Sequence, residues 1–162
     1  MEKVAIDMEN LIVRRARDDE WESAMELAFR VFLKFEAKEY GKKGTESFAE
    51  FVTSENLKKL FLTGHYDVYV ATMDGKIVGV GSVRNISHIS LLFVDGAYHY
   101  RGIATNIVEY MCDCLRHNTD TEYVTVNSSP YAVGFYHKLG FVDTAGKMEE
   151  DGIIYTPMRR HI

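Results

Sequence analysis

The chain has 162 residues, of which 46% are hydrophobic and 27% charged, and its formal net charge is -5 at pH 7. This length and composition predict a single globular domain, residues 1–162, with one substantial core. The acidic balance argues against a general nucleic-acid-binding protein, and no apolar run approaches the length of a membrane span. The first ten residues, MEKVAIDMEN, lack the basic and apolar regions of a signal peptide, so the expected compartment is the cytoplasm.

The N-terminal part is predicted to contain one strand and two helical regions. Residues 11–16 are a candidate first strand, and the sequence that follows, to residue 40, predicts a helix with Asp18 or Asp19 as its N-cap. Apolar residues at three- and four-residue spacing give that helix one buried face: Trp21, Met25, Ala28, Phe29, Phe32 and Phe35. Residues 45–64 are a second helical region, with an expected break near Thr53 and Ser54 and a stop at Gly64.

The next segment changes to the period of a strand. Residues 66–84 alternate apolar with small or polar residues on both sides of Asp74-Gly75, a dipeptide that favours hairpin turns. The run HISLLFV, residues 88–94, is nearly all apolar, which indicates a fourth strand buried on both faces.

A short corner joins this fourth strand to a helix. Ile103, Ile107, Met111 and Leu115 recur every four residues, so a helix begins close to Gly102. A helix N-terminus offers unpaired backbone N–H groups and a positive dipole end, which attract phosphate. Gly102 and Ala104 would let an anion approach the amides of residues 100–105, with positive charge from Arg101 and His99. A tight turn that merely needs one glycine explains the local pattern equally well.

Two known phosphate motifs are excluded at this corner. The dinucleotide fingerprint needs three spaced glycines, whereas Gly102 is the one glycine between Ala97 and Ser128. The P-loop needs a Gly-Lys-Ser/Thr ending, and RGIAT contains no lysine.

The remaining sequence predicts three strands and one short helix. Residues 122–127 are a fifth strand; Ser129 is a natural N-cap, Pro130 fits the first helical position and Gly140 fits the stop of a helix over about residues 130–139. Two last strands, residues 141–148 and 153–158, flank a hairpin at EEDG. This order predicts a mixed sheet with helices on both sides.

The cysteines predict neither a disulfide nor a metal site. Cys112 and Cys114 are two apart in a predicted helix, so they point to different sides and cannot bridge each other. Cys114 and His117 share a helical face, but two ligands do not make a metal centre, and no metal is expected.

Two stretches resemble the GNAT superfamily of N-acetyltransferases. VDGAYHYRGIATNIV is similar to its acyl-CoA-binding segment, Arg/Gln-x-x-Gly-x-Gly/Ala before a helix: Gly102 and Ala104 match, whereas His99 replaces Arg/Gln and Gly96 stands where proline is common. NSSPYAVGFYHKLGF is similar to the second signature, with Ser129 where Asn is frequent. The matching residues of this second stretch are Ala132, Phe135, Tyr136, Leu139, Gly140 and Phe141.

The resemblance implies a fold and a binding site. The fold would be a GNAT-like mixed, mostly antiparallel sheet of about seven strands with about four helices and a V-shaped splay between the fourth and fifth strands. The pantetheine arm of acetyl-CoA would bond the backbone of Phe93 and Val94, and the thioester would lie near Asn127 and Ser129. The pyrophosphate would bind at His99, Tyr100, Arg101, Gly102, Ile103, Ala104 and Thr105.

The resemblance also implies an activity, in which acetyl-CoA is the co-substrate. An amine attacks the thioester directly in a ternary complex, Tyr136 protonates the departing thiolate, and a backbone N–H, that of Val94, stabilises the oxyanion. His88 is a candidate for the base that deprotonates the amine, because the reference pKa of histidine is close to neutral pH. Glu36 and Glu39 are other candidates. Positioning of the two reactants can also suffice for catalysis without a base. The main alternative is an acyl-CoA sensor without catalysis, and another is a site for a different phosphate ligand. The sequence leaves open the amine acceptor, the use of other acyl groups and a possible homodimer.

Overall fold

The structure is a computed structural model that describes residues 10–162. Residues 1–9, which belong to the segment without a signal-peptide pattern, lie outside the described residues. None of the helices in the described part of the chain is long and apolar enough to cross a membrane.

One mixed sheet organises the described chain, with helices on both faces. The strands are β1 (Leu11–Arg15), β2 (Asp67–Met73), β3 (Lys76–Arg84), β4 (His88–Val94), β5 (Tyr123–Ser128), β6 (Val142–Asp143), β7 (Met148–Glu150) and β8 (Ile153–His161). The helices are α1 (Trp21–Phe35), α2 (Ala37–Val52), α3 (Glu55–Leu62), α4 (Ile103–Asn118) and α5 (Val133–Lys138). The strand order is β1-β2-β3-β4-β5-β8-β6, and β7 also pairs with β8. This is the predicted mostly antiparallel GNAT-like architecture.

The sheet separates two hydrophobic cores. Alternate residues of β2 point to opposite faces, as strand geometry requires. Val68 and Val70 pack with the buried face of α1, whereas Tyr69 and Ala71 pack with α4. The predicted helix faces therefore lie where the sequence spacing placed them, on the two sides of one sheet.

The sheet opens between β4 and β5, which form the one parallel pair of the described strands. They pair only at His88 with Thr125 and Ile89 with Val126. Beyond these pairs β4 continues along β3 to Val94, while β5 pairs with β8 as far as Ser128. The predicted V-shaped splay is confirmed, and it leaves backbone groups of β4 without a strand partner.

The predicted N-cap of α1 and its predicted extent are wrong. A 3-10 turn, Asp18–Glu20, precedes the α-helix, which begins at Trp21. Glu20 fixes this start because its carboxylate accepts hydrogen bonds from the Arg17 backbone and from Arg14. The helix ends at Phe35, not at residue 40, and α2 begins at Ala37, earlier than predicted.

The C-terminal prediction is also corrected in part. In place of one strand over residues 141–148 there are two short strands, β6 (Val142–Asp143) and β7 (Met148–Glu150), because each pairs with a different part of β8, which itself extends to His161. Asp151 and Gly152 have positive φ in the β7–β8 hairpin, as Asp74 and Gly75 do in the β2–β3 hairpin. Ser129 does cap the turn before α5, where it accepts a hydrogen bond from the Ala132 N–H.

Candidate active site

A cavity of about 410 Å³ lies beside the open end of β4, between β4 and α5, and we call it the fork cavity. Its walls come from β4, from the corner before α4, from α5 and from the end of α1. The lining residues are Val31, Phe35, Glu36, Leu92, Phe93, Val94, Tyr98, His99, Tyr100, Arg101, Gly102, Ile103, Ala104, Thr105, Tyr131, Ala132, Phe135 and Tyr136.

The backbone of β4 faces the fork cavity at Val94. Asp95 donates its N–H to the carbonyl of Val78 at 2.8 Å, so Asp95 faces β3. Hydrogen bonds alternate along an antiparallel pair, and the backbone groups of Leu92 and Val94 are therefore directed toward the fork cavity. The same alternation turns the backbone of Phe93 toward Val80 of β3. This geometry argues against the predicted pantetheine contact to the Phe93 backbone, although Phe93 lines the fork cavity.

The corner before α4 presents free amides in an electropositive setting. Tyr100 and Gly102 both have positive φ, at 60° and 82°, and Gly102 caps the helix without a side-chain hydrogen bond. The first turn of α4 contains no acidic residue, so nothing opposes the positive end of the helix dipole there. The first helical residues, Ile103, Ala104 and Thr105, line the fork cavity together with Arg101. This arrangement suits a phosphate group.

His99 braces the corner. Its Nε2 lies 2.6 Å from the Val94 carbonyl oxygen, and its ring packs against Phe35 with centroids 4.5 Å apart. His99 therefore connects the corner to both α1 and β4, and its Nε2 is already used in the hydrogen bond to Val94.

Tyr136 lies at the opposite end of the fork cavity on α5. Its side chain packs against Phe135 and Phe141, and only 4% of the residue is exposed. Burial raises the pKa of the Tyr136 phenol, and the nearby Glu36 and Tyr40 raise it further. The phenol consequently stays protonated at neutral pH and can act as a proton donor.

Glu36 is the acidic group nearest to this phenol in the described site. It occupies the break between α1 and α2, and its Oε1 accepts a hydrogen bond from the Ser129 hydroxyl at 2.5 Å. Burial raises the pKa of the Glu36 carboxyl to about 7, with a smaller contribution from Glu39, while the bond from Ser129 opposes the shift. Burial and Glu36 also raise the pKa of Tyr40.

Two further cavities continue from the fork cavity. An inner pocket of about 140 Å³ shares Glu36, Leu92, Phe93, Ala132 and Tyr136 with it. An outer basin of about 990 Å³, which opens between α2, α3 and the β7–β8 hairpin, shares residues with the inner pocket in turn. Those shared residues are Phe48, Ile89, Ser90, Asn127 and Ile153. The three cavities therefore lie side by side, and Tyr136 and Glu36 belong to the wall that the first two share.

The structure separates His88 from the other predicted site residues. His88 lines the outer basin at the closed base of the fork, where its Nδ1 lies 2.8 Å from the Thr125 hydroxyl. Burial and the nearby Arg84 lower the pKa of its imidazole. Asn127 lies between the inner pocket and the outer basin, and Ser129 lines the inner pocket. The corner, Val94, Ser129 and Tyr136 are thus brought together, and His88 is not.

Sequence reasoning missed several residues of the site. Tyr40 and Tyr131 carried no motif, and Phe35 was interpreted only as part of an apolar helix face. Glu36, in contrast, was one of the predicted candidate bases, and it follows Phe32 by four positions, so a carboxylate continues the apolar stripe of α1. Within residues 10–162 no group of three His, Cys, Asp or Glu side chains is arranged to hold a metal ion.

The sequence matches the family model of the acetyltransferase (GNAT) domain over residues 36–162, well over half of the chain. The chain belongs to the GNAT acetyltransferase family. For this GNAT chain the match includes the corner, β4, β5 and Tyr136. No curated protein matches the chain by sequence.

Solved structures show the same fold. A GCN5-related N-acetyltransferase from Rhodopseudomonas palustris is 21% identical, with a TM-score of 0.82 over 97% of this GNAT chain and 99% of its own. The PaiA N-acetyltransferase from Thermoplasma acidophilum, solved with coenzyme A, is 16% identical, with a TM-score of 0.77 over 94% and 99% of the two chains. A chimera of the spermidine N-acetyltransferase SpeG from Vibrio cholerae is 15% identical, with a TM-score of 0.67 over 94% and 96%.

Proposed function

We propose that this GNAT protein is an N-acetyltransferase, which transfers the acetyl group of acetyl-CoA to a primary amine by direct attack in a ternary complex. The observation that carries the proposal is the junction of two cavities at Tyr136. One cavity leads from there to the free amides of α4, and the other leads to the outer basin. A donor and an acceptor can therefore reach the same phenol from different sides.

The fork cavity fits an acyl-CoA. The amides of Ile103, Ala104 and Thr105 would hold the pyrophosphate, and an added Cβ at Gly102 would meet only Asn106, at 4.0 Å, which shows how open the corner is. The backbone of Leu92 would bond the pantetheine arm as an additional strand does, whereas the Val94 carbonyl is already bound to His99 and the Val94 N–H is left for the thioester. The bound coenzyme A of the Thermoplasma acidophilum relative, which shares the fold, supports this assignment.

The chemical step forms one bond and breaks another. The lone pair of the neutral amine attacks the thioester carbonyl carbon, and the carbonyl oxygen takes up the negative charge, which the Val94 N–H stabilises as a hydrogen-bond donor. Collapse of this intermediate breaks the C–S bond, and the electron pair leaves with sulfur. Tyr136 donates its proton to the thiolate, and the proton that nitrogen loses restores the phenol. The products are an amide and the free thiol of CoA.

The role of Tyr136 can be tested with a Tyr136→Phe variant, which keeps the aromatic packing and removes the proton. Acetyl-CoA binding, measured by calorimetry, should stay within about twofold of wild type. Thiol release in the presence of an amine should fall on the order of 10²-fold, which is within the range of general acid catalysis. Unchanged thiol release from a variant that binds acetyl-CoA normally would exclude Tyr136 as the acid.

A further inference from the structure

The inner pocket is small, and aromatic rings form much of its wall. Phe32 stacks on Phe48 with ring centroids 4.2 Å apart and on Tyr40 at 5.3 Å, and Phe48 in turn packs against Phe93 at 5.5 Å. All four rings line the pocket, whose volume is about 140 Å³. Together they form an apolar wall along which an extended alkyl chain can lie.

One charged group lines this pocket within the described residues, and it is Glu36. The residue is 9% exposed, and its Oε1 accepts the hydrogen bond from Ser129. No described side chain or backbone group donates to Oε2, yet no buried side-chain oxygen of the described residues is left without a partner. Oε2 therefore retains access to the cavities. A nearly buried carboxylate with one free oxygen, surrounded by aromatic rings, is a binding site for an ammonium group.

We propose that the acceptor is an unbranched primary alkylamine, whose nitrogen binds between Glu36 and Tyr136 and whose alkyl chain lies along the aromatic wall of the inner pocket. This inference rests on the acetyl transfer proposed above. The far end of the acceptor extends into the outer basin, where Lys43, Arg84, Glu50 and Asp151 provide charges of both signs. A polar or charged far end is thus tolerated, and the aromatic wall of the inner pocket sets the selectivity.

Glu36 also receives the proton that makes the amine nucleophilic. The amine arrives as an ammonium ion, and transfer of one proton to Oε2 leaves a neutral amine beside the thioester and a neutral carboxyl. The titratable groups that face Glu36 are Tyr40 and Glu39 of α2, Tyr131 of the turn before α5 and Tyr136 of α5, while Ser129 donates to it. The pKa of all three tyrosines is raised, so they stay neutral, and Glu36 is the group that changes charge near pH 7.

The shape of the acceptor can be tested with three alkylamines of similar basicity. n-Pentylamine is unbranched, cyclohexylamine is branched at the carbon next to nitrogen, and N-methylpentylamine is a secondary amine. The proposal predicts that kcat/KM for n-pentylamine exceeds the other two by at least about tenfold, on the scale that misfit in an apolar pocket produces. Equal or better turnover of cyclohexylamine would overturn the inference and leave acetyl transfer itself intact. Thiol release with none of many amines would instead overturn the proposed function.

The role of Glu36 can be tested by comparing Glu36→Gln with Glu39→Gln. Glu39 lies three residues after Glu36, in the first turn of α2, but is exposed, so it is a matched control. Glu36→Gln should lower kcat/KM for n-pentylamine on the order of 10²-fold and remove the rise of the wild-type profile near pH 7, while acetyl-CoA binding is retained. Glu39→Gln should keep the rate and the rise, with the rise moved slightly to lower pH because Glu39 makes a small contribution to the raised pKa of Glu36. A Glu36→Gln variant with an unchanged pH profile would contradict the proposal.

Discussion

Phe35 explains both departures of this chain from the family's acyl-CoA-binding pattern. A Cβ added at Gly96 would lie 3.0 Å from Cζ of Phe35, so a proline or any larger residue at position 96 would need the ring to move by a few tenths of an ångström. His99 stacks on the same ring. One aromatic side chain at the end of α1 thus favours a small residue at position 96 and an imidazole at position 99.

The corner should depend more on Gly102 than on His99. Gly102 has a φ of 82°, which a β-branched residue adopts only with strain of about 1–3 kcal/mol, and its amide neighbours are the proposed phosphate ligands. Gly102→Val should therefore weaken acetyl-CoA binding by about tenfold or more in calorimetry. His99→Gln retains a donor for the Val94 carbonyl and should change the affinity little. A larger loss from His99→Gln would show that backbone amides are not the main ligands.

At the scale of elements, the sequence predicted correctly those strand bounds, turns and helix ends that depend on neighbouring residues alone. β4 has the predicted bounds, and the turn at Asp74-Gly75 and the stop at Gly140 lie where glycine and the hairpin dipeptide indicated them. The errors occur where tertiary contacts decide. Glu20 shifts the start of α1 through its bonds to Arg14 and Arg17, and pairing with β8 produces two short strands, β6 and β7, where one strand over residues 141–148 was predicted.

The packing of α4 on the sheet predicts a strict size limit at Gly81 of β3. A Cβ added there would lie 2.6 Å from Cγ2 of Ile107 and 3.0 Å from Sδ of Met111. Gly81→Ala should lower the free energy of unfolding by about 1–3 kcal/mol, the usual cost of overpacking a core. Urea denaturation measures this change.

Gly134 provides the control for that experiment. It lies in α5 with no atom within 4 Å of an added Cβ, so Gly134→Ala should be neutral or stabilising, by up to about 1 kcal/mol. If Gly81→Ala unfolds at the same urea concentration as wild type, α4 does not pack on β3 as closely as described.

At the scale of the whole molecule, the family motifs predict which residues form the site, but they do not predict how its three cavities are arranged. The two signatures located the corner and Tyr136, whereas the order of three cavities depends on how α2 and the β7–β8 hairpin meet. Gly44 and Gly152 allow this approach, since a Cβ added at Gly44 would lie 2.5 Å from the Gly152 carbonyl oxygen. Nothing in the local sequence pairs those two glycines.

The buried carboxyl of Glu36 should make the free energy of unfolding of the whole protein depend on pH. Its pKa rises from 4.5 to about 7 on folding, so between these values the folded state retains a proton that the unfolded state loses. The contribution of this proton to the free energy of unfolding is fully present below pH 4.5 and is lost as the pH rises through 7. The total loss is about 3 kcal/mol. Glu20, whose pKa Arg14 lowers to about 2, acts in the separate window below pH 4.5.

Urea unfolding of wild type and Glu36→Gln at pH 5 and pH 8 tests this stability profile. The variant should gain stability relative to wild type on going from pH 5 to pH 8, because it has no carboxyl to ionise. A constant difference between the two proteins would mean that Glu36 titrates normally and is not buried in the folded protein.

The central claim is that the two cavities that meet at Tyr136 bring acetyl-CoA and an amine into reaction. The most direct measurement incubates the protein with acetyl-CoA and n-pentylamine and follows both free thiol and acetylated amine. The account predicts equal amounts of CoA thiol and N-acetylpentylamine, with multiple turnovers per protein. Thermal stabilisation by acetyl-CoA without release of thiol, for this and every other primary amine tried, would contradict the account and identify a binding-only sensor.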